Sequence, residues 1–139
     1  MPTIKKPSVA IVVSIYHAEY TLRLVRSASD LLSQNEIPVD VFEAPGSFEI
    51  PLLVQRAARS RKYKAIIAFG LIWQGETPHA MEILRAVTDQ LMAISLKFDL
   101  PVLHGVLFVK SHQEARARCG GSLDRGKECA EAVLKLLKE

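Results

Sequence analysis

The sequence is poor in the features that mark specialised chain types. It has two cysteines, Cys119 and Cys129, too few for a disulfide framework and far from any Cys/His zinc spacing. They read as packing residues in a reducing compartment, because free cysteine is among the most buried side chains. No apolar run approaches the ~20 residues of a membrane span. The opening segment Met1–Pro7 lacks the apolar stretch of a signal peptide, so a cytoplasmic protein with a flexible segment over 1–7 is expected. Neither charge sign dominates, the balance being +3. Glycine and proline, seven of each, are too few for a disordered chain. A hydrophobic content of 49% in 139 residues suffices for one core without disulfides or metal, so a single domain over 1–139 is expected.

Several catalytic signatures are also missing. There is no Walker A motif, no GxGxxG opening a helix after the first strand, no GxSxG and no HExxH. Nucleotide hydrolysis, dinucleotide redox chemistry, serine esterase and zinc protease readings lose their usual support.

What is present is an alternation of strands and helices. Val9-Ala10-Ile11-Val12-Val13 is a continuous apolar run of the kind buried on both faces of a parallel sheet. A helix is expected over Glu19–Gln34, a strand over Pro38–Ala44, and a helix over Ser47–Ser60 with Pro51 in its tolerant first turn. The strand Ala65–Phe69 and the helix Pro78–Phe98 follow. Next come the strand Val102–Val109, a short helix opened by the Ser111/Glu114 capping pair, and a last helix over Asp124–Leu137. Crossover-length connections in the order βαβαβαβαα predict an α/β three-layer sandwich, a four-stranded parallel sheet with helices on both faces, flavodoxin-like. Ligands of such folds bind outside the carboxyl ends of the strands.

That rule draws the candidate residues to one rim. Gly70 to His79 joins the third strand to the third helix, with Thr77 as N-cap, Pro78 at the first helical position and His79 in the first turn. Amides of Gly75, Glu76 and Thr77 can face an anion there, and the dipole favours a neutral imidazole able to accept a proton. Arg118, before Cys119-Gly120-Gly121, can fork onto a phosphate or lie on the surface, and Arg116 and Arg125 are rivals. Glu49 is a first-turn carboxylate suited to the dipole or to ligand hydroxyls. Tyr16 and Trp73 are strand-end aromatics that can stack on a flat heterocycle or simply pack. His17 and His112 read as solvent-facing loop residues, and His104 as a hydrogen-bonded core histidine. Arg56, Arg59, Arg61, Lys62 and Lys64 cluster at a helix end, where cations suit the dipole. A nucleic-acid patch would call for interleaved aromatics or a reading helix, and neither is evident.

Ala44-Pro45-Gly46-Ser47-Phe48-Glu49-Ile50-Pro51 and Gly75-Glu76-Thr77-Pro78-His79 resemble two motifs of the 6,7-dimethyl-8-ribityllumazine synthase family, in matching order and separation. The similarity runs from about Val9 to Leu137. It implies a transferase of riboflavin biosynthesis that joins 5-amino-6-(D-ribitylamino)uracil to 3,4-dihydroxy-2-butanone 4-phosphate, without metal or redox cofactor. By resemblance His79 transfers protons, and Glu76 and Thr77 with Arg118 hold the phosphate. Tyr16, Ser47, Phe48, Glu49, Leu71, Ile72 and Trp73 line the ribitylaminouracil pocket, completed by His104 and Arg125. The family's sites lie between adjacent subunits of a pentamer, which implies self-association into pentamers or multiples, up to a sixty-subunit shell, with His104 and Arg118 coming from the neighbour. No nucleic-acid or membrane partner is implied. The sequence departs from the family at Tyr16, usually phenylalanine or tryptophan, at His104, usually a large apolar ring, and at Gln74, often basic. Its loop Gly120–Gly126 is about one residue shorter. A non-catalytic lumazine- or flavin-binding relative and a basic nucleic-acid module using Arg56–Lys64 are the competing readings.

Overall fold

The computed structural model describes residues 6–139; the first five residues of the expected flexible segment 1–7 lie outside it. The elements are β1 (Val9–Ser14), α1 (Ala18–Gln34), β2 (Val39–Ala44), a 3-10 turn (Ser47–Glu49), α2 (Ile50–Ser60), β3 (Ala65–Trp73), α3 (Ala80–Phe98), β4 (Val102–Val109), α4 (His112–Arg118) and α5 (Arg125–Leu136). All neighbouring strands are parallel, in the order β2-β1-β3-β4. That order matches the first four strands of the flavodoxin-like arrangement, whose switch point falls between β1 and β3.

Strand periodicity assigns the two layers of core. Val9, Ile11 and Val13 of β1 and Ile67, Phe69 and Leu71 of β3 pack with α1 and α5. Ala10 and Val12, with Ile66 and Ala68, meet α2 and α3 on the opposite face. β1 is buried throughout, which explains its unbroken apolar run. The edge strands differ: β2 exposes Val41 and Phe42, and β4 leaves Val102, Leu103 and His104 only partly covered. Cys119 and Cys129 are free and buried in the α1/α5 layer, and burial, the main cause, pushes both thiols up to about 11. They are packing residues, as expected.

Three boundaries differ from the sequence reading by more than one residue. α2 begins at Ile50 rather than Ser47, because Ser47–Glu49 closes as a 3-10 turn. β3 does not stop at Phe69 but continues through Trp73, with Gly70 to Trp73 paired to Val106 to Val109 of β4. Gly70 is there for closeness rather than for a turn: a Cβ at that position would lie 2.7 Å from Ser47 Oγ and 3.2 Å from Ile50 Cδ1. α3 begins at Ala80, later than expected, because the Thr77 hydroxyl accepts the His79 amide at 3.1 Å and Ala80 N–H bonds Thr77 O, closing a separate turn. His79 is thus the N-cap residue of α3 rather than a member of its first turn. Among the described residues no helix is long and apolar enough to cross a membrane.

Candidate active site

The carboxyl ends of β1, β2 and β3 open into a cleft of about 170 Å³, lined by Tyr16, Ser47, Phe48, Glu49, Leu71, Ile72, Glu76 and Thr77 together with Gly46, Ala80 and Ile83. Each wall has a local cause. The β1 wall is set by Thr21 of α1, whose hydroxyl donates to Ser14 O at 2.7 Å, and by Ile15 N–H bonding Ala44 O at 2.9 Å. This leaves Tyr16 outward and 58% exposed. The β2 wall is the 3-10 turn, held against Gly70; it presents Phe48 at 62% exposure and ends on Glu49, the N-cap residue of α2. The β3 wall is the turn 74–79, anchored by Gln74 N–H to Val109 O at 2.8 Å and made possible by Gly75 at φ 78°. Ala80 and Ile83 went unforeseen as lining because the sequence assigns them to a helix; that the first turn of α3 faces the cleft is a product of packing.

The amides of the 74–79 turn are partly committed. Glu76 N–H bonds Trp73 O at 3.2 Å and His79 N–H bonds Thr77 Oγ1, whereas those of Gly75 and Thr77 are uncommitted. The Glu76 carboxylate is engaged by the loop after β1. His17 Nε2 lies 3.1 and 3.2 Å from its two oxygens. A hydrogen bond from Tyr16, with the charge of Glu76, holds the Tyr16 phenol above its ordinary range.

His17 is therefore not solvent-facing. Its side chain is 17% exposed, its backbone is left-handed at φ 69°, and Trp73 Nε1 donates to its Nδ1 at 3.4 Å. His112, although exposed, is also engaged: its Nδ1 is 2.6 Å from Tyr20 OH, and its ring centroid is 4.8 Å from that of Trp73. Trp73 thus packs, edge-on to His17 and Tyr20 and tilted against His112, within a cluster of those three rings, and the cleft residues do not include it.

The remaining candidates stand apart from the cleft within one chain. His79 lies between Thr77 and Ala80 with a side chain 72% exposed, its Nδ1 3.8 Å from Glu82. Arg118 ends α4, 42% exposed, its Nε 3.8 Å from Glu114 one turn earlier. His104 and Arg125 meet each other at the β4 edge, where Arg125 donates to His104 O at 2.9 Å. The His104 ring accepts Val106 N–H at Nδ1 (3.2 Å), so its Nε2 carries the hydrogen and donates to Thr88 of α3 at 2.7 Å. Burial, opposed by a backbone hydrogen bond and aided by the Arg125 charge, lowers the His104 pKa from 6.5.

A second cleft of about 330 Å³ lies between β2 and α2, lined by Phe42, Leu53, Arg56, Ala57, Ser60, Lys62 and Tyr63. Tyr63 donates to Asp40 at 2.5 Å and, chiefly through burial, is pushed up to about 12. None of the candidate catalytic side chains lines it. Among the described residues no group of three or more His, Cys, Asp or Glu side chains is arranged to hold a metal.

A parallel α/β sheet with a polar-rimmed cleft at the switch-point end defines a doubly wound protein that takes a small ligand. The model of the 6,7-dimethyl-8-ribityllumazine synthase family matches residues 6–139. The chain is 39% identical over 132 residues to the 6,7-dimethyl-8-ribityllumazine synthase of Xanthomonas euvesicatoria pv. vesicatoria (strain 85-10), covering 92% of this chain and 86% of that relative. It is 36% identical over 132 residues to the synthase of Stenotrophomonas maltophilia (strain R551-3), covering 92% and 85%. Among solved structures, a flavodoxin from the domain Archaea aligns over 91% of this chain and 99% of its own at 13% identity and a TM-score of 0.41. The chain belongs to the 6,7-dimethyl-8-ribityllumazine synthase family, and the resemblance of its two motifs is borne out.

Proposed function

We propose that this protein condenses 5-amino-6-(D-ribitylamino)uracil with 3,4-dihydroxy-2-butanone 4-phosphate to form 6,7-dimethyl-8-ribityllumazine, releasing phosphate and water, as a transferase of riboflavin biosynthesis. The observation that carries the reading is the joining of the two family motifs in one cleft: Ser47-Phe48-Glu49 on one wall and Glu76-Thr77 on the other, beneath Tyr16. In this reading Tyr16 and Phe48 stack on the pyrimidine, while Ser47 and Glu49 take hydroxyls or ring N–H groups. Leu71 and Ile72 form the floor, and Trp73 acts only from behind it, through His17. The Thr77 amide and Arg118 hold the phosphate.

The chemistry needs an amine condensed with a ketone with loss of water, elimination of phosphate from the carbon two positions from that ketone, and ring closure with loss of a second water. His79 relays protons between these steps, and much of the gain comes from holding two reactants together. A cleft of about 170 Å³ is small beside the roughly 300–1,000 Å³ usual for ligand sites. That fits a half-site closed by a second copy in a pentamer or a multiple of pentamers, the neighbour bringing Arg118, His104 and Arg125 from the β4 side.

Steady-state kinetics of His79→Ala test the assignment. Turnover falls by about 10²- to 10⁴-fold, the range of a lost general acid–base, while both Michaelis constants stay within a few fold. An unchanged rate removes His79 from proton transfer.

A further inference from the structure

The mechanism leaves one arrangement without a role: a carboxylate, Glu76, inside the wall meant for an anion. Like charge at a phosphate seat weakens binding unless it is directed elsewhere. Two donors from the β1–α1 loop do direct it. Trp73 Nε1 is a donor only, so the His17 Nδ1 that faces it at 3.4 Å takes the acceptor role and Nε2 carries the hydrogen. That N–H points between the two Glu76 oxygens at 3.1 and 3.2 Å, and the Tyr16 hydroxyl supplies a second bond. The left-handed backbone of His17, at φ 69°, is what turns its ring back over the 74–79 turn; few side chains adopt that conformation readily. Thr21 N–H and Tyr20 N–H both bond His17 O, at 3.2 and 3.0 Å, so the residue is fixed to the start of α1.

We propose that His17 is a positioning residue for phosphate recognition: oriented by Trp73, it holds the Glu76 carboxylate away from the anion seat formed by the turn 74–79. This rests on the condensation reading for the identity of the phosphorylated substrate, but not for the geometry. His17 touches neither reactant in this account. It acts through Glu76, and its loss releases a negative charge beside the phosphate.

The test uses the full chain and His17→Gly, which keeps the left-handed backbone accessible while removing the ring. Dissociation constants for inorganic phosphate are measured by calorimetry, alongside the Michaelis constants of both substrates. His17→Gly weakens phosphate and raises the Michaelis constant of the butanone phosphate by about tenfold, the effect of one carboxylate on a dianion a few ångströms away in water. The constant for ribitylaminouracil stays within about twofold. Adding Glu76→Gln to His17→Gly restores both phosphate values, because the released charge is gone; a merely structural role for His17 would give no such rescue. Unchanged phosphate affinity in His17→Gly, or no recovery in the double variant, overturns the proposal. If the unaltered protein binds phosphate but forms no lumazine, the condensation reading falls while the phosphate constants still decide the role of His17.

Discussion

Arg118 supplies the sharpest prediction about how the site is assembled. In one chain its guanidinium is tied to Glu114 on its own helix at 3.8 Å and contributes nothing to the cleft lining. If it serves the cleft of an adjoining copy, His79→Ala and Arg118→Ala damage different halves of each shared site. Rings reassembled at random from equal amounts of the two variants then contain intact sites by chance. A given site takes His79 from the Arg118→Ala copy about half the time, and Arg118 from the His79→Ala copy about half the time. About one quarter of the sites are therefore whole. The assay is phosphate release after dissociating and reassembling the mixture, with hybrid rings verified by native mass spectrometry. The mixture should recover about a quarter of the unaltered activity although each variant alone is nearly inactive. Hybrid rings no more active than the variants themselves would refute the shared site, because a site built within one chain is never intact in such a mixture.

Two other perturbations probe the scaffold. Gly126→Ala places a Cβ 2.5 Å from Leu24 O and 3.0 Å from Leu24 Cα, both α1 backbone. An overpacking cost near 3 kcal/mol, offset by about 1 kcal/mol of helix propensity, predicts a loss of about 2 kcal/mol in urea unfolding; no loss would mean that α1 and α5 part easily. The lowered His104 pKa means the unfolded chain binds the proton more readily than the folded one. Stability should therefore fall as pH drops below about 6.5 and level off beneath the folded value. His104→Phe should reduce that fall in thermal melts between pH 7.5 and 5, and an identical profile would show that other groups cause it.

The sheet and its layers were legible because their signals are local: a β-branched run for β1, a largely apolar stretch for β4, helical spacing for α1 and α3, and capping chemistry at Ser111. Ser111 Oγ indeed accepts Glu114 N–H at 3.1 Å, although the Glu114 carboxylate reaches back to Lys110 N–H rather than to Ser111. The extension of β3 was hidden because Gly70 looks like punctuation, whereas its purpose is to admit Ser47 from a distant turn. The late start of α3 was hidden because Thr77-Pro78 carries the cap signals of a helix that begins beyond His79. His17 was misread, and the partner of the exposed His112 missed, for a similar reason. Their partners Glu76 and Tyr20 are 59 and 92 residues away, and only the parallel sheet brings strand ends and helix starts to one rim. The motif residues Ser47, Phe48, Glu49, Glu76 and Thr77 do converge on the cleft, whereas Trp73 was drawn into an aromatic cluster by neighbours that its own sequence context does not reveal.

Turnover itself tests the central claim most directly. Purified protein is mixed with 5-amino-6-(D-ribitylamino)uracil and 3,4-dihydroxy-2-butanone 4-phosphate while lumazine absorbance and free phosphate are followed together. Lumazine and phosphate should appear in equal amounts, catalytically and only when both substrates are present. Tight binding of the uracil or of lumazine, with no enzyme-dependent release of phosphate, would contradict the account.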